Sequence, residues 1–131
     1  MKMEIINPPG WAAPRGYNNG IVVEGRKMLF VAGQIGWDGQ QRMVSDNFAG
    51  QFAQAMENIV SIVRHAGGDV TNIVRLLICV TDKKEYLAQV HNVGTAYRQI
   101  MGKHFPTMTL VEVKSLLEDN AKVEIEAIAV L

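Results

Sequence analysis

The chain has 131 residues, a length that fits one domain with a core of its own. Its 13 basic and 13 acidic side chains cancel, and neither sign gathers into a block, which argues against a broad electrostatic surface for nucleic acid or anionic membrane. Cys79 is the single cysteine and has no intramolecular disulfide partner, no apolar run approaches the ~20 residues that cross a bilayer, and no apolar leader precedes Pro8 and Pro9, so a reducing cytoplasm is the expected compartment.

No repeat or low-complexity linker divides the sequence, so residues 1–131 read as one domain. Residues 1–15, with Pro8, Pro9 and Pro14, are expected to form an irregular arm. Strand character begins at Ile21-Val22-Val23 and resumes at Lys27-Met28-Leu29-Phe30-Val31. Glu24-Gly25-Arg26 between them predicts a hairpin with Gly25 in the turn. Trp37-Asp38-Gly39 signals a second turn. From about Asn47 to Arg64, Phe48, Phe52, Met56, Ile59, Val60 and Val63 recur at steps of three and four, the spacing of one helix face. Ser45 or Asp46 is suited to cap this helix and Gly67-Gly68 to end it.

The nearly continuous, β-branched run from Ile73 to Val80 predicts a strand buried on both faces. A second helix follows: Asp82 and Glu85 have capping-box spacing, and Tyr86, Val90, Val93, Tyr97 and Ile100 make its apolar stripe up to Gly102. Two strands, about 108–114 and 122–130, complete the order ββαβαββ, an α+β domain with two helices on one face of a sheet. The segments 28–32 and 74–80 are apolar on both faces, whereas two helices cover only one. The other face therefore predicts a closed homo-oligomer.

Several chemistries lack their residues. None of Ser45, Ser61 and Ser115 sits in a Gly-x-Ser-x-Gly elbow, and Cys79 lies mid-strand in an apolar run, the setting of an inert core thiol. His65, His91 and His104 have no metal-site spacing. His65 and His104 instead fall near helix C-termini, where a cationic side chain suits the helix dipole. No glycine pattern for nucleotide phosphates occurs. Neither a metal nor an organic cofactor is expected.

Pro106-Thr107-Met108-Thr109-Leu110-Val111-Glu112-Val113, then Val123-Glu124-Ile125-Glu126-Ala127-Ile128-Ala129, together with Val31-Ala32-Gly33-Gln34-Ile35, resemble the RidA/YjgF superfamily of enamine/imine deaminases. Asn58 and Asp82 fall in matching order, and the likeness spans about Tyr17 to Val130. The resemblance implies a homotrimer whose sheets face one another around a central barrel, with small-molecule clefts between subunits. It also implies roles for particular residues: Glu124 would place or activate water, Gly33 would let a ligand approach the backbone, the main chain at Leu110 would assist binding, and Tyr17 would stand at the cleft mouth. His91 or Asn92 falls near an asparagine supplied by an adjoining subunit.

Met108 stands where the resemblance places the arginine that holds the substrate carboxylate. A thioether replaces none of the guanidinium donors. Losing that charge-assisted contact costs on the order of a few kcal/mol, or about a hundredfold in affinity. Arg15, Arg75 and Arg98 are alternative cations, and the sequence does not choose among them. Strand alternation sets Val123, Ile125, Ala127 and Ala129 on one face and Glu124, Glu126 and Ile128 on the other. The implied function is a cofactor-independent hydrolase that releases ammonia from an enamine or imine, not a 2-imino acid held in the usual arginine-anchored way. A non-catalytic trimer that binds a metabolite or protein partner is the alternative. RNA binding, attached to some relatives of the superfamily, lacks a basic patch with interleaved aromatics here.

Overall fold

The computed structural model describes residues 1–131. Its elements run β1 (Lys2–Ile6), β2 (Gly20–Glu24), β3 (Met28–Gln34), α1 (Phe48–His65), β4 (Ile73–Val80), α2 (Lys83–Ala88), α3 (Val90–Met101), β5 (Thr107–Glu112) and β6 (Val123–Val130), with a 3-10 turn at Val70–Asn72 before β4. The main sheet has the order β3, β6, β4, β5; its neighbours are antiparallel except for β4 and β5. A parallel pair needs a crossover, and α2 with α3 supplies it. The α+β expectation therefore holds, with helices packed against one sheet face. No helix is long and apolar enough to cross a membrane.

The periodic face of α1 is the centre of the core: Phe48, Phe52, Met56, Ile59, Val60 and Val63 are all buried. They meet Leu76, Ile78 and Val80 of β4 and Val123, Ile125 and Ala127 of β6. Residues two apart share a sheet face, so the intervening side chains point away from the helices. Thus β4 is not buried on both faces within one chain. Leu77 and Cys79 are half-buried, while Met28 and Phe30 of β3 are 61% and 69% exposed.

The N-terminal arm is less irregular than its prolines predict. Met1, Met3 and Ile5 alternate with Lys2 and Glu4, a period-2 pattern, and Lys2–Ile6 pairs antiparallel with β2 in a separate two-stranded sheet. The hairpin expected at Gly25 does not form. β2 pairs with β1, β3 pairs with β6, and the Arg26 and Lys27 amides donate to the Leu131 carbonyl. Gly25 is needed for close approach: a Cβ there would sit 2.9 Å from the Leu131 oxygen.

The helix ends also differ in detail. Asn47, rather than Ser45 or Asp46, caps α1, its Oδ1 accepting from the Gly50 amide at 3.2 Å; Ser45 Oγ accepts in turn from the Asn47 amide. The expected single second helix is two, divided at Gln89 (φ −112°, ψ 14°). The break lets the Gln89 side chain accept from the Ala49 amide, one of the donors left free at the start of α1. Asp82 caps α2, but Glu85 turns to Lys122 at 2.9 Å instead of closing a capping box. His65 lies in the last turn of α1 and bonds the Ser61 carbonyl. His104 bonds the Ile73 carbonyl of β4, so its partner is a strand and not a helix end.

Gln51 is the one polar side chain in the buried interior. Its amide nitrogen donates to the carbonyls of Ser45 and Asn120, each at 3.0 Å, and its oxygen accepts from the Lys122 amide at 2.8 Å. The side chain thereby ties the loop before β6 to the first turn of α1. Gln51→Leu leaves two carbonyls and one amide without these partners. An increase in folding instability of about 3 kcal/mol is expected from urea unfolding, with the m-value unchanged.

Candidate functional site

On the uncovered sheet face, Glu124 of β6 lies opposite Cys79 of β4. Its carboxylate also reaches β3, where the register with β6 slips between Val31 and Gln34. Gly33 sits in that irregularity. A Cβ on Gly33 would press on a Glu124 carboxylate oxygen and lie 2.8 Å from its Cδ, so the glycine is what lets the carboxylate lie over this stretch of backbone. Arg75 and Glu126 share the face at 3.8 Å, both largely solvated, so their pairing contributes little to stability.

Burial pushes the Cys79 thiol above its ordinary pKa, and the negative charges of Glu124 and Glu126 push it further. The neutral thiol is a poor nucleophile. Cys79 is half-buried on the uncovered face and not in the core that its sequence context predicts. No group of three or more His, Cys, Asp or Glu side chains is placed to hold a metal ion.

Met108 and Leu110 belong to a different place. They pair in register with Leu76 and Ile78, and residues level in a parallel pair share a face, so both turn toward the helix-covered side. There they line a cavity of about 490 Å3 between the sheet, α3 and the arm at Arg15–Tyr17. Tyr97 and Phe105 stack along its wall, with ring centroids 5.2 Å apart and planes 10° apart. The Tyr97 hydroxyl donates to the His104 carbonyl at 2.6 Å, and burial raises its pKa well above the usual phenol value. It remains a donor throughout the physiological range.

The arm is held in place by asparagines. The Asn18 side chain donates to the Phe105 carbonyl at 2.6 Å, and its backbone amide donates to the Pro106 carbonyl. Asn7 in turn bonds both Asn18 and Asn19. These contacts fix Tyr17 beside the start of β5, where it also borders a smaller crevice with Arg75, Thr107 and Met108.

Within one chain, the candidate residues therefore separate into three groups. Gly33 and Glu124 meet on the uncovered face; Tyr17, Met108 and Leu110 line the cavity; His91 and Asn92 are exposed on the first turn of α3 and line neither. Of the three alternative cations, Arg15 and Arg98 line the same cavity as Met108, whereas Arg75 pairs with Glu126. Gly94 and the Asn7–Asn18 pair were not distinguished in the sequence. An isolated glycine inside a helical pattern is the signal that marks Gly94.

The fold and these groups define a small α+β domain in which helices cover one sheet face while a carboxylate, seated on a glycine, stands on the other. A family described as endoribonuclease L-PSP matches residues 10–131. The chain belongs to that family and to the RidA/YjgF superfamily. Among its relatives, a 2-iminobutanoate/2-iminopropanoate deaminase of Salmonella typhimurium is 35% identical over 106 residues, covering 79% of each chain. The human protein of the same description is 29% identical over 93% of this chain and 83% of its own length. Escherichia coli TdcF, solved with bound serine, superposes with a TM-score of 0.69 at 32% identity, covering 98% of both chains. A Yersinia pestis protein of unknown function from the Rid family superposes with a TM-score of 0.89 at 24% identity over the whole of both chains, a likeness of fold.

Proposed function

We propose that the protein is a RidA-like small-molecule hydrolase, an enamine/imine deaminase variant that releases ammonia in a cleft between the subunits of a homotrimer. The observation that carries this reading is the Glu124 carboxylate over Gly33, on a sheet face where Met28 and Phe30 are exposed. Packing that face against further copies removes apolar surface from water and encloses Glu124. The superfamily resemblance assigns Tyr17, Met108 and Leu110, with the exposed His91 and Asn92 of an adjoining copy, to the same cleft; Met108 and Leu110 face the helices of their own chain, so they would meet a Glu124 only through the assembly. The deaminase descriptions of the relatives point the same way.

In the proposed reaction, a water oxygen adds to the imine carbon while Glu124 takes a proton from that water. The proton passes to nitrogen to give a carbinolamine, its hydroxyl proton is then moved to nitrogen through the same carboxylate as the C–N bond breaks, and a carbonyl product leaves with ammonia. The backbone at Gly33 and Leu110 positions the substrate. The hydrolysis is redox-neutral, so it calls for no redox cofactor. Ammonia release from freshly generated aliphatic, aromatic and carboxylate-bearing imines tests the reading; rates equal to buffer across all three classes would remove it.

Met108 sets the expected specificity. It contributes no charge-assisted contact to a carboxylate, so 2-iminobutanoate is expected to be a poor substrate. Met108→Arg restores the donors at the position of the superfamily's arginine and is expected to raise kcat/KM for 2-iminobutanoate by about a hundredfold. An unchanged value in an intact assembly would show that the surrounding pocket has diverged as well.

One observation favours a non-catalytic binding role: the mostly apolar cavity lined by Met108 and Tyr97 does not include Glu124. That reading predicts ligand binding that survives Glu124→Ala and no ammonia release from any imine. The family description names an endoribonuclease, but the uncovered face sets Glu124 and Glu126 beside one arginine, a poor surface for a phosphodiester chain.

A further inference from the structure

An asparagine side chain can be attacked by the peptide nitrogen of the next residue, and the attack is easiest where that residue is glycine, which puts no Cβ in the way. Asn19, which precedes Gly20, is the only asparagine of the chain followed by glycine; the others precede proline, asparagine, alanine or bulky apolar residues. Asn19 is exposed and lies in the bend that leads into β2, just before Gly20, the first paired residue of that strand. Its side chain is held by one surface bond, Nδ2 donating to Asn7 Oδ1 at 3.1 Å. Asp38 is also followed by a glycine, but its carboxylate accepts from the Arg42 and Gln40 amides, which hold its pKa below the usual value. An ionised carboxylate has no leaving group to lose, so Asp38 resists the same attack.

Asn19 stands at the outer end of a relay that ties the arm to β5. Asn7 Oδ1 accepts from the Asn19 backbone amide at 2.8 Å as well as from its side chain, and Asn7 Nδ2 donates to Asn18 Oδ1 at 2.8 Å. Asn18 in turn donates to the Phe105 carbonyl at 2.6 Å. A carboxylate at position 19 has no donor for Asn7 Oδ1, so two acceptors would face one another. The isoaspartyl isomer disturbs more. Its main chain runs through the side-chain carbon and gains a methylene, so the β1–β2 ladder, which ends at the Ile6–Gly20 pair, loses its register there.

We propose that Asn19 is a self-modifying site, whose deamidation to aspartate and isoaspartate releases the arm that carries Tyr17 from the start of β5. The Gly20 nitrogen gives up its proton and bonds to Asn19 Cγ; the Cγ–Nδ2 bond breaks, and the departing nitrogen takes up a proton and leaves as ammonia. A succinimide remains, and water opens it at either carbonyl. One amide and one water thus become one acid and one ammonia, with no oxidant or reductant. The event occurs once per chain, so it records the age of the molecule and does not reverse.

Ageing the full chain at mildly alkaline pH, with peptide mass mapping and isoaspartate detection, tests the modification, and hydrogen exchange tests its consequence. Conversion is expected at Asn19 first, with isoaspartate in excess, while Asp38 and the other asparagines stay unchanged over the same interval. Gly20→Ala should slow the conversion on the order of tenfold by hindering the nitrogen. The variant should fold, since a Cβ at Gly20 meets Ile6 at 3.5 Å, an ordinary contact. Asn19→Asp installs the carboxylate at once and should speed exchange of the Asn18 and Asn19 amides, which bond Pro106 and Asn7, by about tenfold. Exchange in α1 and β4 should not change. Conversion at Asn19 no faster than at the other asparagines would overturn the site, and full conversion with unchanged exchange in the arm would overturn the release. The ammonia lost here is stoichiometric with the chain, so it is distinguished from turnover of an imine.

Discussion

Glu124→Gln is expected to lower ammonia release by two to four orders of magnitude while leaving the circular dichroism spectrum and the assembly mass unchanged. Glutamine keeps the size of the side chain and its ability to orient water, but it cannot accept a proton, and positioned acid–base groups contribute factors of this size. Glu124 takes part in no ion pair, so the substitution strands no buried counter-charge. Gly33→Ala is the companion test. Its added methyl overlaps the present carboxylate position, and the flexible side chain must rotate away. A fall in kcat larger than the change in KM is expected, because the water-handling group moves while the binding walls remain. Full activity in Glu124→Gln would exclude the carboxylate as the proton acceptor.

The parts of this fold legible in the sequence are those governed by local periodicity. The stripe of α1, the strand character of β4 and the alternation of β6 each follow from one stretch of chain. The misjudged parts depend on distant partners. β1 acquires its strand by pairing with β2 across more than a dozen intervening residues, and the turn at Gly25 bonds the C-terminal Leu131 and not a hairpin partner. The break at Gln89 likewise has meaning only once the start of α1 lies beside it.

The site divides for the same reason. Alternation orders the side chains within β5 and within β6, but the relation between them is set by the register of each with β4. That register turns Met108 and Leu110 toward the helices and Glu124 away. Proximity of Arg98 and Arg15 to Met108 is equally non-local: it needs α3 to cross β5 and the Asn18 clamp to hold the arm. The superfamily resemblance nominates the candidate residues, whereas the sheet register determines which of them share a face in one subunit.

Phe30→Glu is expected to convert the proposed trimer into monomers, as read from light scattering, and to abolish ammonia release. Phe30 is 69% exposed in the single chain and projects from the same face as its register partner Ile128. A glutamate there is solvated in an isolated subunit and disturbs no core residue, so secondary structure should be retained. In a barrel of facing sheets the same carboxylate would be buried in every copy without a cation to meet it, a cost of several kcal/mol each. Retention of both the native mass and the activity would instead place Phe30 outside any interface and require another role for the exposed face.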